Sequence, residues 1–252
     1  MIITSCFISE RLAACADLMV QRRQAFFDDP DDIETNHKFR VSIRTTRSLL
    51  SFIEPWVSRK QAKAIQANLK RVVKETSRLR ELDVFMSLAE SLDPAAPELV
   101  AFCAAEAGQE RERVLETLSE ERMIDRLDTA VEELHKLSWK ASIRDTGLDP
   151  AYVRMRYDKL VESLNADLDA LDITDYELMH SIRKRTKQAR YVAEQFSDII
   201  GKDVVKIAKD MKARQDDLGA LCDAKVNREL VGSYLVREDV SETLAREIVR
   251  LI

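Results

Sequence analysis

The chain has 252 residues and a formal net charge of −5, with only 5 Gly, 5 Pro and 15 aromatic residues (8 Phe, 5 Tyr, 2 Trp) among them. So few breakers and aromatics exclude the short, turn-rich strands of a β-sandwich or barrel and point to long helices packed side by side. No run approaches the roughly 18 apolar residues of a membrane helix. The N-terminus has no basic opening and already carries Glu10 and Arg11 within its apolar stretch, and the four cysteines lack metal-type spacing, so a cytoplasmic protein that engages no membrane is expected.

Helices are expected at about 9–27, 32–54, 57–92, 97–118, 121–141, 150–171, 174–200, 202–230 and 241–252. The breaks between them rest on Asp28-Asp29-Pro30, Pro55, Asp93-Pro94, Gly147, Asp149-Pro150, Asp172 and Gly201. Short connections make neighbours antiparallel. The second helix carries His37, Arg40, Arg44 and Arg47 at i, i+3, i+7 and i+10, within an arc of about 80°, with Phe39, Ile43, Leu50 and Ile53 largely across from them. The third carries Arg59, Lys60, Lys63, Lys70, Arg71, Lys74 and Arg78 on one side and Ile65, Leu69, Val72, Thr76 and Leu79 on the other. In the seventh, His180, Arg183, Lys187 and Arg190 repeat the spacing of the second, and the eighth adds Lys202, Lys206, Lys209 and Lys212 against Val204, Ile207, Met211 and Leu218. This is an internal repeat, a basic helix followed by a second basic helix in each half. We therefore expect one domain over 1–252, made of halves at about 1–143 and 144–252.

The net charge conceals a segregation. Residues 38–47, 59–80, 183–190 and 202–214 hold 22 of the 40 lysines and arginines, with Glu75, Asp203 and Asp210 as their only acids. An ordinary solvated face mixes signs at i, i+4, because like charges at that spacing cost stability. One such stripe is commonly just a solvated face. Four, paired and repeated, indicate a polyanion that offsets the repulsion. Arginine offers phosphate a planar two-donor fork and lysine a mobile point charge.

Three other patterns compete. Glu34-x-x-His37, Glu132-x-x-His135 and Glu177-x-x-His180 match the i, i+3 spacing of di-iron bundles. Two of those histidines share a face with Arg40, Arg44, Arg183 and Lys187, which would repel a cation, so no metal or cofactor is expected. His37 and His180 serve either as packing imidazoles or as anion donors at the edge of the basic face. Arg80 and Asp83, at i, i+3 on the apolar side, read as an interior ion pair. Arg111 and Arg113 lie outside the stripes beside Glu110 and Glu112 and read as solvated.

The repeat resembles a known family. His37-Lys-Phe-Arg40-Val-Ser-Ile-Arg44-Thr-Thr-Arg47 is similar to the first signature of the CHAD (conserved histidine α-helical domain) family, and Thr76-Ser-Arg-Leu-Arg80-Glu-Leu-Asp83-Val84 to the second. His180-Ser-Ile-Arg183-Lys-Arg-Thr-Lys187-Gln-Ala-Arg190-Tyr191 is similar to the third, and Gln215-Asp-Asp-Leu218-Gly219-Ala-Leu-Cys-Asp223 to the fourth. The resemblance implies an all-α fold of two similar halves around a basic channel or cleft. It also implies binding of inorganic polyphosphate, in some members beside a triphosphate-tunnel enzyme domain that these residues do not include. The family's basic residues carry over at His37, Arg40, Arg44, Arg47, His180, Arg183, Lys187 and Arg190, with Lys70, Lys74 and Lys212 on the partner helices. Thr45, Ser77 and Glu81 depart from the family's Arg, Gly and Asp.

The expected function is non-catalytic binding of inorganic polyphosphate or another phosphate-rich polyanion, with association with polyphosphate granules as one setting. The site residues are His37, Arg40, Arg44, Arg47, Lys63, Lys70, Lys74, His180, Arg183, Lys187, Arg190, Lys206, Lys209 and Lys212. A nucleic-acid binder is the alternative, disfavoured because Tyr191 is the one aromatic near the stripes. A metal-dependent phosphohydrolase needs a carboxylate cluster beside the basic face, and none can be assembled.

Overall fold

The computed structural model describes residues 5–251. Among them are eleven α-helices: α1 (Ser5–Asp28), α2 (Ile33–Ile53), α3 (Arg59–Glu75), α4 (Ser77–Glu90), α5 (Pro97–Ser119), α6 (Glu121–His135), α7 (Ala141–Thr146), α8 (Pro150–Asp169), α9 (Tyr176–Ile200), α10 (Val204–Leu235) and α11 (Glu242–Val249). A 3-10 turn at Glu54–Trp56 links α2 to α3, and a lone bridge joins Val57 to Trp139. The fold is all-α, and no described helix is long and apolar enough to cross a membrane.

Most helix ends follow from local chemistry. Asp32, Ser58, Asp149, Asp175 and Ser241 each accept a hydrogen bond from a backbone N–H of the turn that follows, which satisfies a donor left orphaned at a helix start. Gly201 ends α9 at φ 114°, a conformation where a side chain would also meet Asp203 Oδ1 at 2.6 Å.

Two expected helices break. The helix expected over 57–92 divides at Thr76, where local hydroxyls and an arginine of α2 meet the Val73 carbonyl. The Val73 carbonyl there accepts from Arg40 Nη1 at 2.8 Å and from the Thr76 and Ser77 hydroxyls, each at 3.1 Å. Arg40 Nη1 also donates to Thr76 Oγ1 at 2.6 Å. Ser77, a departure from the family pattern, thus helps to satisfy the carbonyl exposed by the break. The helix expected over 121–141 ends at His135, and a short segment leads to α7.

Helix α1 packs along α2 and α6, α3 against α6, and α9 lies between α8 and α10 while also contacting α2. One core runs through these elements, with Phe26, Phe39, Phe52, Tyr157 and Phe196 among its largest buried side chains. A second, smaller core joins α4 and α5 to the end of α10 and to α11 through Phe85, Leu99, Cys103, Tyr234 and Ile248. Segments from before and after residue 143 are therefore interleaved in both cores.

The Arg80–Asp83 pair does not form. Asp83 is 1% exposed and accepts from Asn36 Nδ2 at 3.3 Å, and Arg111 stands 4.0 Å away. Burial raises the Asp83 carboxyl above the ordinary carboxylate range. Arg111 is accordingly no solvated surface residue: its side chain is 13% exposed and also pairs with Asp31 at 3.3 Å.

Candidate functional site

A cleft of roughly 640 Å³ opens where α2 and α3 face α9. Arg44, Arg47, Ser48 and Ser51 enter it from α2, and Lys63, Gln66 and Lys70 from α3. On the other wall α9 supplies His180, Arg183, Lys184, Arg185, Lys187 and Gln188. Eight lysines and arginines therefore face a single lining acid, Glu54, so the local charge is opposite in sign to that of the whole chain.

The walls are held together by hydrogen bonds between helices. Arg47 Nε donates to Gln66 Oε1 at 2.9 Å, and Gln66 Nε2 returns a bond to the Arg47 carbonyl at 2.7 Å, which fixes α2 against α3. Gln188 Nε2 donates to the Ser48 carbonyl at 3.4 Å and links α9 to α2. Arg185 is anchored outward, on Asp167 and on Ser163 Oγ at 2.8 Å. Arg183 lies 3.7 Å from Asp223, while its Nε is buried without a partner. Gly219 makes room for this side chain: a Cβ there would stand 3.3 Å from Arg183 Nη2.

Desolvation and crowding set the electrostatics. Burial pushes the Lys187 ammonium down to about 7, with repulsion from Arg183 and Arg44 adding to it and Asp223 opposing. Burial also lowers the Arg44 guanidinium, which Tyr191 partly offsets and Arg183, Arg80 and Arg47 reinforce. His180 is held below its ordinary value by burial and then by Lys184 and Arg183, and its Nδ1 is buried without a partner. Clustered, partly desolvated cations of this kind gain more from an entering anion than exposed ones do.

The other expected site residues fall elsewhere. Arg40 is a correction to the sequence reading: it is 3% exposed, and its guanidinium is committed to the break at Thr76. Its Nε has no partner, and burial lowers its pKa to about 9, which leaves it charged at neutral pH. His37 is partly buried outside the cleft lining, held below its ordinary value by burial and by Arg80. Arg190 turns into a separate depression with Arg11, Arg22 and Lys38, where it bonds Gln215 and Glu194 and lies over the Tyr191 ring. Lys74 is exposed on α3 beyond the cleft lining. Lys206, Lys209 and Lys212 are exposed on α10, also outside the lining, and Lys212 pairs with Asp216 at 2.8 Å.

The sequence reading passed over Gln66, Lys184, Arg185 and Gln188. Lys184 and Arg185 belong to the basic run at 183–190 but sit off the stripe of His180, Arg183, Lys187 and Arg190. Nothing in the sequence marks Gln66 or Gln188. His135 bonds Asp17 at 2.9 Å, and no group of three or more His, Cys, Asp or Glu able to hold a metal occurs among the described residues.

Two solved structures share the fold. The CHAD domain of the plant Ricinus communis superposes with a TM-score of 0.79 at 22% identity, over 99% of this chain and 86% of that one. PptA from Streptomyces chartreusis does so with a TM-score of 0.65 at 15% identity, over 99% of this chain and 92% of that one. At these identities the likeness is one of fold. No curated protein sequence matches significantly. The CHAD domain model matches residues 10–232, nearly the whole chain, and the protein belongs to that family.

Proposed function

We propose that the cleft binds inorganic polyphosphate, or a closely related phosphate-rich polyanion, without transforming it. The observation that carries this reading is the convergence of Arg44, Arg47, Lys63 and Lys70 with Arg183, Lys184 and Lys187 around one acid, Arg185 being paired with Asp167. A linear phosphate polymer carries about one charge per unit, so it matches rows of cations on facing walls better than a compact anion does. His180 sits at the edge as a neutral donor, and Lys187 is poised to gain a proton as an anion enters.

Catalysis has little to work with here. Metal-assisted phosphate hydrolysis requires convergent carboxylates, and Glu54 stands alone in the lining. Single-stranded nucleic acid favours a track of aromatic faces along a basic groove. The cationic part of the cleft has only Tyr191, which is 4% exposed. Titration with long-chain polyphosphate and with single- and double-stranded DNA at matched salt tests the reading. Polyphosphate binding at least about tenfold tighter per site supports it, in a comparison made at fixed ionic strength because both affinities fall with salt. Equal or tighter DNA binding overturns it.

A further inference from the structure

A second cleft of about the same size adjoins the cationic one. The two share Ser51, Glu54, Arg185 and Gln188. The second has a different chemistry. Phe52 and Trp56 meet edge to face in one wall, with ring centroids 5.9 Å apart. Across from them α8 places Tyr152, Met155 and Lys159 in the lining, at i, i+3 and i+7 on one helix face. Tyr152 is 61% exposed and Met155 46%, so two large apolar side chains stand open at the rim. Arg156 is pinned by its Nε donating to the Phe52 carbonyl at 2.6 Å, and its guanidinium lies 6.0 Å from the Trp56 ring centroid.

The order of these groups specifies a ligand. Cations crowd one end, Glu54, Arg185, Ser51 and Gln188 form the junction, and the other end sets aromatic and thioether surfaces beside Arg156 and Lys159. Glu54 repels phosphate at the junction but accepts hydrogen bonds from hydroxyl or amino groups, and Gln188 and Ser51 add neutral partners. A flat aromatic ring against Trp56 and Tyr152 would cover the exposed apolar surface. We infer that the two clefts together accept a nucleoside oligophosphate, with its phosphates among the cations of α2 and α9, its sugar at Glu54 and Gln188, and its base against Trp56 and Tyr152. This rests on the phosphate-binding reading of the first cleft and adds a base-binding subsite to it. The site holds one base, unlike the extended track of a nucleic-acid binder.

Calorimetric titration of the whole protein with ATP and with tripolyphosphate, metal-free and at equal ionic strength, tests this. The two ligands carry similar charge, so the cations alone would not favour ATP. ATP should bind about tenfold tighter, the gain that stacking of one base supplies. Tyr152→Ala combined with Met155→Ala, both rim residues, should remove that advantage and leave tripolyphosphate affinity unchanged. Glu54→Gln should narrow the gap from the other side by strengthening tripolyphosphate. ATP no tighter than tripolyphosphate, or an ATP advantage that survives the rim substitutions, overturns the inference while leaving polyphosphate binding intact. Binding of ATP, sensitive to the rim, without binding of tripolyphosphate or long polyphosphate would instead overturn the proposed function and keep the base subsite. Binding of neither overturns both.

Discussion

Arg40 and Arg44 stand one turn apart on α2 and belong to the same stripe, yet they occupy opposite environments. Arg40 is enclosed and satisfies the Val73 carbonyl at the α3–α4 break. Arg44 is partly buried in the lining of a cleft where the nearby charges, Arg183, Arg80 and Arg47, are of its own sign. A similar contrast separates α9 from α10. The α9 cations face those of α2 and α3, whereas Lys206 and Lys209 project into solvent, away from any facing helix in the cleft lining. Stripe charge alone does not make a site. Convergence from several helices and partial desolvation raise the strength with which an anion is held, and only some cations of each stripe meet both conditions.

Four expectations sharpen these comparisons. Arg40→Ala should have the largest effect, lowering fold stability by about 2–4 kcal/mol by removing the donors to a buried carbonyl and hydroxyl. Denaturant unfolding would show it, whereas Arg44→Ala should leave stability unchanged or slightly raised, since it relieves like-charge crowding. Equal losses in the two variants would erase the distinction. Next, Arg44→Ala with Lys187→Ala should weaken polyphosphate binding about 100-fold, the scale of two charge-assisted contacts, while Lys206→Ala with Lys209→Ala changes it only a few-fold. Direct titration compares them at identical formal charge.

The third expectation is a pH dependence. Lys187 in the empty protein titrates near 7, well below its ordinary 10.5. An entering polyanion favours the charged form, so binding takes up a proton above pH 7, and affinity should fall by up to about tenfold per pH unit there. Titrations in buffers of different ionisation enthalpy measure the uptake. For the empty protein the sign runs the other way. Between about pH 7 and 10.5 the unfolded chain holds the Lys187 proton and the folded chain does not, so this group's contribution to stability rises with pH across that window. Loss of the proton uptake in Lys187→Met identifies the residue, and retention would assign it to another group. The smallest effect is expected from Gly219→Ala. Its Cβ would stand 3.3 Å from Arg183 Nη2, and the long side chain can shift, so polyphosphate affinity should fall only about two- to threefold.

Much of the helical framework could be read from local signals. Pro55, Pro94, Gly147 and Gly201 separate helices, and acidic or hydroxyl residues cap five helix starts. The break at Thr76 was only half legible: the Thr76 and Ser77 hydroxyls that bond the Val73 carbonyl are local, but the arginine that completes the arrangement lies 36 residues earlier and reaches it only in the folded state. For the same reason the direct partners of Asp83 could not be read: Asn36 and Arg111 come from α2 and α5, while Arg80 acts on the carboxylate through its field without pairing with it. The cleft was partly legible. Helical periodicity placed Arg44, Arg47, Lys63, Lys70, Arg183 and Lys187 on basic faces, but it could not show which faces meet. It therefore treated the α10 lysines like those of α9 and missed Gln66, Lys184, Arg185 and Gln188. The second core, formed across a long sequence separation by α4, α5, α10 and α11, left no periodic trace that ties its parts together.

The central claim is that polyphosphate is held by converging cations of the α2–α3–α9 cleft, and the salt dependence of binding tests it most directly. Affinity for polyphosphate should be measured over a range of ionic strengths for the wild type, for Arg44→Ala with Lys187→Ala, and for Lys206→Ala with Lys209→Ala. Each cation that meets the polymer releases counterions, so the slope of log affinity against log salt counts the cations engaged. The cleft variant should show a slope shallower by roughly one to two, and the α10 variant should keep the wild-type slope. Equal flattening in both variants would mean that binding follows overall charge, and it would contradict the account.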